Sequence, residues 1–284
     1  MAFEQKGDDW SANAKSYNAL PQDDESPITR PSMVLVKTLN HALPIAEATA
    51  ILDVGCGPGT TIGMLIRQLG SQIPPNARLI ASDFSAGMIE QLEERKKTAT
   101  DPLWNRIEPL VSNAEDLAGI YDSSISHVMG SLVYNLIPDS QKALEAAYRV
   151  LKPGGVACMC TWVTLEWMDL MKLAAENTKG NTAPASLFPE PWLSVEGIKK
   201  KFEEAGFNDS TFETQEAFMA IDDPAPYFNG FVRAKNPAAN LYIGGYTEEE
   251  LDRFEEEWIR LAFERHPKSP KKLKGIFVVS TGRK

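Results

Sequence analysis

The stretch ILDVGCGPGTT, residues 51–61, decides how this chain is read. Ile51 to Val54 is short and apolar apart from Asp53, the pattern of a buried parallel strand. Gly55, Gly57 and Gly59 then alternate with Cys56 and Pro58, and Thr60 opens a run with helical periodicity. A strand, a bare turn and a helix start form a site for an anion or a nucleotide, because backbone without Cβ atoms lets a ligand approach the free N–H groups of the helix. No Gly-Lys-Ser/Thr follows, which excludes a P-loop, and Thr60 stands where the dinucleotide pattern G-x-G-x-x-G requires its third glycine. Asp53, at the strand end, would repel a pyrophosphate and attract an ammonium group. The expected ligand is a nucleoside carrying positive charge.

Outward from this turn, strand-like and helix-like segments alternate. Strands are expected at Ala50–Val54, Arg78–Asp83, Arg106–Val111, Ser124–Gly130, Gly155–Trp162, Ser210–Phe218 and Gly275–Thr281, with helices at Thr60–Leu69, Ala86–Lys97, Ser140–Leu151 and Val195–Ala205. Alternation of this kind predicts an α/β fold: a doubly wound, Rossmann-like, mostly parallel seven-stranded sheet covered on both faces. Gly206 and Pro153-Gly154-Gly155 supply helix stops, and Thr247 with Glu250 forms a capping box for a further helix carrying Leu251, Phe254, Trp258 and Leu261 on one face. Three segments break the alternation, so the chain divides into one domain with elaborations. These are a helical cap (1–47), a cofactor-binding core (48–162, continued in 195–218 and in the final strand, 274–284) and two lid insertions (163–194 and 219–273). Both insertions are rich in aromatic residues and too long for ordinary connections.

The 284 residues are 43% hydrophobic and 24% charged, within the globular range. No apolar run approaches the ~20 residues needed to cross a bilayer, and Asp8, Asp9 and Trp10 stand where a signal peptide needs an apolar segment, so a cytoplasmic location without membrane contact is expected. The formal net charge of −10, from 39 acidic and 29 basic residues, repels polyphosphate, and no nucleic acid partner is expected. Three cysteines, Cys56, Cys158 and Cys160, lack the paired spacing of a zinc site, and no carboxylate cluster has octahedral-site spacing, so no metal is expected.

Several motifs occur in an order that resembles the class I S-adenosylmethionine-dependent methyltransferases. LDVGCGPG (52–59) is similar to the first motif of that family; Asp83, in LIASDFSAGMIE, holds the place of its ribose-binding acid; NAEDL (113–117) resembles its adenine-reading motif, with Asn113 where Asp is commoner. SLVYNLIPD (131–139) followed by ALEAAYRVLKPGG resembles the fourth strand edge and its helix, EGIKKKFEEAGF (196–207) resembles a later helix and turn, and WSANAKSY (10–17) has the look of the family's opening helix. The resemblance implies S-adenosylmethionine as cofactor. It places Tyr17, Asp53, Gly55, Cys56, Gly57, Gly59, Asp83, Phe84, Met88, Asn113, Ala114, Glu115, Ser131 and Leu132 around it.

Relatives often carry a His pair after the fourth strand, where this chain has Tyr134 and Asn135. These two are the candidates for positioning the acceptor, since Asn cannot take a proton. His41, His127 and His266 are read as packing, core and helix-end residues. Trp10, Trp162 and Trp167 are the candidate walls of an acceptor site. The expected activity is methyl transfer to a small, aromatic or otherwise apolar metabolite, with oxygen the favoured nucleophile. One alternative is a protein that uses the bound cofactor without methyl transfer, as a cyclisation or rearrangement catalyst or a regulatory module. Another is methylation of a protein, which needs an open groove.

Overall fold

The structure, a computed structural model, describes residues 7–18, 24–180 and 187–284; the side chains of Asp8, Tyr17 and Asn18 lie outside the description. Seven strands form one sheet: β1 (Ala50–Val54), β2 (Arg78–Asp83), β3 (Ile107–Val111), β4 (Ile125–Ser131), β5 (Leu151–Leu165), β6 (Asn208–Ala220) and β7 (Lys272–Arg283), in the order β3-β2-β1-β4-β5-β7-β6. β1 to β5 pair in parallel, and β7 runs antiparallel to both of its neighbours. The strand order reverses at β1, where β2 lies on one side and β4 on the other, so a crevice opens at their carboxyl ends.

The core strands are buried on both faces, as their unbroken apolar runs require: every residue of β1 is buried, and β4 is buried up to Ser131. Helices α3 (Thr60–Leu69), α4 (Ala86–Thr98), α5 (Ser140–Val150) and α7 (Val195–Glu204) cover the sheet. Ser85, Asp139 and Ser194 cap the last three of these by accepting from Met88, Lys142 and Gly197 N–H.

β5, β6 and β7 run further than their sequence pattern indicates. Leu165 pairs with Gly275 and Ala220 with Lys272, because an antiparallel ladder continues as long as both strands stay extended. The insertions are mounted on that extension. The first contributes α6 (Glu166–Lys179); the second contributes α8 (Ala225–Tyr227) running into a π-helical turn (Phe228–Val232), α9 (Pro237–Ile243) and α10 (Glu248–Arg265). The capping box at Thr247 and Glu250 is present. α10 packs along α6, and Trp258 Nε1–H donates to Trp167 O at 3.2 Å, while the Tyr227 ring stacks on Phe231 (5.3 Å) and on Trp258 (5.2 Å). At the amino-terminal side, α1 (Gly7–Asn18) lies against α4 and the second insertion, and α2 (Thr29–Ala42) packs on α3, β4 and β5. No helix among the described residues is long and apolar enough to cross a membrane.

Candidate active site

Two adjoining cavities open at the carboxyl edge of β1, β2 and β4, and share Trp10, Leu132 and Leu136 as their common wall. The smaller, about 180 Å³, is built on the glycine turn. Gly55, Gly57 and Gly59 have φ of 62°, 53° and 85°, conformations that cost a side-chain-bearing residue strain. Each has a different reason to lack a side chain. A Cβ at Gly55 would stand 2.3 Å from Val133 Cγ2, and one at Gly59 2.6 Å from Leu92 Cδ1, so both answer to packing. A Cβ at Gly57 would meet nothing nearer than Met88 Sδ at 4.0 Å, because it would project into the cavity itself.

Asp83 ends β2 and faces the same space. Its Oδ2 accepts from Gly57 N–H and its Oδ1 from Ser85 N–H, each at 2.9 Å, so one carboxylate ties the glycine turn to the start of α4. Burial raises its pKa, and the backbone donors oppose that rise. Each carboxylate oxygen keeps a lone pair for a ligand hydroxyl. Phe84, Met88, Asn113, Ala114, Glu115, Ser131 and Leu132 line this cavity, with Asn113 Oδ1 accepting from Glu115 N–H at 3.0 Å to shape the turn beneath. The Ser131 hydroxyl accepts from Ser32 at 3.2 Å. Ser112, Val133, Leu136, Ile137 and Pro138 also face this space. They follow the ends of β3 and β4 in sequence, and that position is the only signal that could have found them.

Other expected residues stand elsewhere. Asp53 lines neither cavity: it is 1% exposed, and its Oδ2 accepts from Ile62 N–H at 3.0 Å. The carboxylate turns under the loop because the first turn of α3 offers N–H groups that have no partner within the helix. Burial raises its pKa well above the ordinary carboxylate range. Cys56 is buried behind the turn, its N–H bound to Ser82 O, and Gly59 serves the approach of α3 to α4. Tyr134 and Asn135 are corrected as well. The 3₁₀ turn Tyr134–Leu136 buries both completely and presents Leu136 to the cavities instead. The Tyr134 ring lies over Gly130, where a Cβ would be 2.6 Å away, and neither the phenol oxygen nor the Asn135 amide has a hydrogen-bond partner among the described residues. The Tyr17 side chain lies outside the described residues.

The larger cavity, about 370 Å³, is apolar and walled by the insertions. Trp162 and Trp167 meet edge to face at 5.4 Å, and Trp162 meets Phe277 at 5.6 Å. Gly275 makes this possible, since a Cβ there would stand 2.5 Å from Trp167 and 2.8 Å from Trp162. Phe188, Phe218, Tyr227 and Phe231 extend the wall, with Glu25, Asp223 and Lys272 the charged members of the lining. Tyr227 O–H donates to Met171 Sδ at 3.0 Å, and burial raises its pKa well above the usual value. Asn236, 1% exposed, is a buried amide on this wall. Leu132, at the junction, holds φ of 60°, a strained value for a branched side chain.

None of the histidines lines either cavity. His127 is buried between Ser126 Oγ (2.9 Å) and Leu43 O (3.1 Å), and burial lowers its pKa; His266 Nε2 lies 2.7 Å from Glu166 Oε1 at the end of α10. Among the described residues no group of three His, Cys, Asp or Glu side chains could hold a metal.

The residues of the smaller cavity suit an adenosyl ligand: a carboxylate at the β2 edge, open space above Gly57 and an apolar slot bounded by Met88 and Phe84. The methyltransferase domain family matches residues 51–155. Methyltransferase ucsB of Acremonium sp. is 33% identical over 211 residues, which span 72% of this chain and 70% of that protein. Methyltransferase tpcH of Aspergillus fumigatus is 26% identical over 82% of this chain and 84% of its own length. The solved structure of Haemonchus contortus phosphoethanolamine N-methyltransferase 2 with S-adenosyl-L-methionine matches the fold at a TM-score of 0.57 and 16% identity, covering 99% of this chain and 60% of that one. From the glycine turn, the Asp83 edge, the sheet order and these relatives together, the chain belongs to the class I S-adenosylmethionine-dependent methyltransferases.

Proposed function

We propose that this enzyme methylates a small, flat, apolar metabolite, preferably an aromatic one at oxygen, with S-adenosylmethionine held in the smaller cavity and the acceptor in the larger. The observation that carries this reading is the common wall of Trp10, Leu132 and Leu136, which brings the two spaces together. Bound there, S-adenosylmethionine would supply an already activated methyl group on a sulfonium.

The chain's own work is binding and alignment. Asp83 would accept from ribose hydroxyls, and the turn at Asn113 and Ala114 would meet the base. The tryptophan and phenylalanine faces of the larger cavity favour a flat partner and exclude water, which holds a nucleophile near the junction in a productive pose. The titratable residues among its described lining are Glu25, Asp223, Lys272 and Tyr227, and the Tyr227 hydroxyl is committed to Met171. An oxygen that ionises readily, such as a phenol or an enol, suits such a site better than an aliphatic alcohol.

The experiment is incubation of the purified protein with methyl-labelled cofactor and metabolite extracts, followed by mass spectrometry. Label in a planar phenolic or enolic product supports the reading. Substrate turnover without S-adenosylhomocysteine would instead favour catalysis that leaves the methyl in place, and label on protein alone would refute a small-molecule acceptor.

A further inference from the structure

Helix α1 is tied on two sides by polar groups two residues apart, to the edge of the smaller cavity through Ser11 and to the second insertion through Asn13. On the cofactor side, Gly57 N–H and Ser85 N–H converge on Asp83. Ser85 Oγ, which caps α4 by accepting from Met88 N–H, lies 2.9 Å from Ser11 Oγ, and Gly87 N–H donates to Ser11 Oγ at 3.1 Å. The approach is close because Gly87 has no side chain: a Cβ there would stand 2.7 Å from Ser11 Cα. On the acceptor side, Asn13 Nδ2–H donates to Ala234 O at 2.8 Å, and Asn236 Nδ2–H donates to Asn13 Oδ1 at 3.3 Å. Asn13 and Asn236 are 2% and 1% exposed, and Asn236 lines the acceptor cavity. Trp10, next to Ser11 on the same helix, stands in the common wall of the two cavities.

A helix of 12 residues with a polar sequence holds no fixed position by itself. Its place depends on these tethers, and a buried amide pair is satisfied in one register only. We infer that Ser11 and Asn13 are positioning residues that clamp α1 between the Asp83 edge and the second insertion, so that filling the cofactor cavity orders the acceptor cavity before the acceptor arrives. This rests on the cofactor reading above. The cofactor-side tie begins at the carboxylate that would hold the ribose. A ligand there favours the docked α1, and docked α1 presents Asn13 to Ala234 and Asn236.

The test is amide hydrogen exchange with and without saturating S-adenosylhomocysteine, read separately over residues 7–18 and 225–243. In the wild-type protein the ligand should slow both segments about 5-fold or more. Ser11→Ala should abolish both responses. Asn13→Ala should keep the response at 7–18 and lose that at 225–243, a separation that a merely structural defect would not produce. Should Asn13→Ala fail to fold, Asn13→Leu, of similar volume but with neither the donor to Ala234 nor the acceptor for Asn236, carries the same comparison. A wild-type response confined to 7–18, or a response at 225–243 that survives loss of the Asn13 donor, overturns the inference while leaving the cofactor reading intact. Absence of S-adenosylhomocysteine binding by calorimetry overturns both.

Discussion

Gly57 and Gly55 lie two residues apart in the same turn, and alanine at each should fail for opposite reasons. Both hold positive φ, so either substitution carries about 1–2 kcal/mol of left-handed strain. At Gly57 that is the whole cost to the empty protein, because the new methyl would have no neighbour closer than 4.0 Å. At ~2–4 °C per kcal/mol, the melting temperature should fall by about 2–8 °C. The methyl would, however, occupy ligand space, and overpacking of about 1–3 kcal/mol weakens S-adenosylhomocysteine about 5- to 150-fold. At Gly55 the methyl would meet Val133 at 2.3 Å, a clash inside the protein that adds about 1–3 kcal/mol to the strain. Gly55→Ala should therefore melt lower than Gly57→Ala yet lose less affinity per folded molecule. Differential scanning calorimetry and titration calorimetry on the two variants supply both axes. If folded Gly57→Ala binds S-adenosylhomocysteine as tightly as the wild type, the ligand does not lie against this glycine and the placement is wrong.

Three further outcomes follow from the packing. Burial raises the folded pKa of Asp53, so the folded state holds that proton more tightly than the unfolded chain; its stabilising effect is complete below the ordinary carboxylate range near ~4 and is lost as pH rises through the raised value. Ligand-free Asp53→Asn should thus gain on the wild type in melting temperature as pH rises across that window, and a gap that stays flat or narrows counts against it. Tyr134→Phe removes a buried hydroxyl with no partner among the described residues, so it should be as stable as the wild type or more so by about 1 kcal/mol, with unchanged S-adenosylhomocysteine affinity; a large loss of methyl transfer in the folded variant would restore Tyr134 as a catalytic candidate. Gly275→Ala drives a methyl into Trp167 and Trp162, so the acceptor KM should rise on the order of 5-fold while cofactor affinity stays within about twofold; equal losses on both sides would show that the tryptophans do not wall a separate acceptor space.

The smaller cavity is legible in the sequence because its information is local. A strand end, a run of glycines and an acid at the next strand end fix which edge binds, and Gly57, Asp83, Met88 and Asn113 stand there for reasons contained within a few residues of each. Direction is harder to read than position. Asp53 is the penultimate residue of β1 and Asp83 the last of β2, yet one turns beneath the loop to an N–H of α3 while the other faces the cavity, and the choice is made by which unpaired donors come within about 3 Å. Tyr134 and Asn135 sit at the expected edge but in a tight turn, where one residue of rotation exchanges what is buried for what is presented, and Leu136 takes the outward place.

The larger cavity depends on contacts no short window contains. Trp162 is readable because it rides on β5 toward the ligand edge, and Trp167 because it follows close behind. Asn236 is not, since its partner Asn13 is 223 positions away and the pairing exists only once α1 has docked. The asymmetry has a physical origin. The smaller cavity rests on backbone geometry, which local sequence dictates, whereas the larger is closed by side chains from segments that meet only in the finished fold. Under the proposed function, substitutions in the insertions would therefore reshape what is methylated while the glycine turn and Asp83 stay as they are, placing acceptor choice and cofactor binding under separate control within one domain.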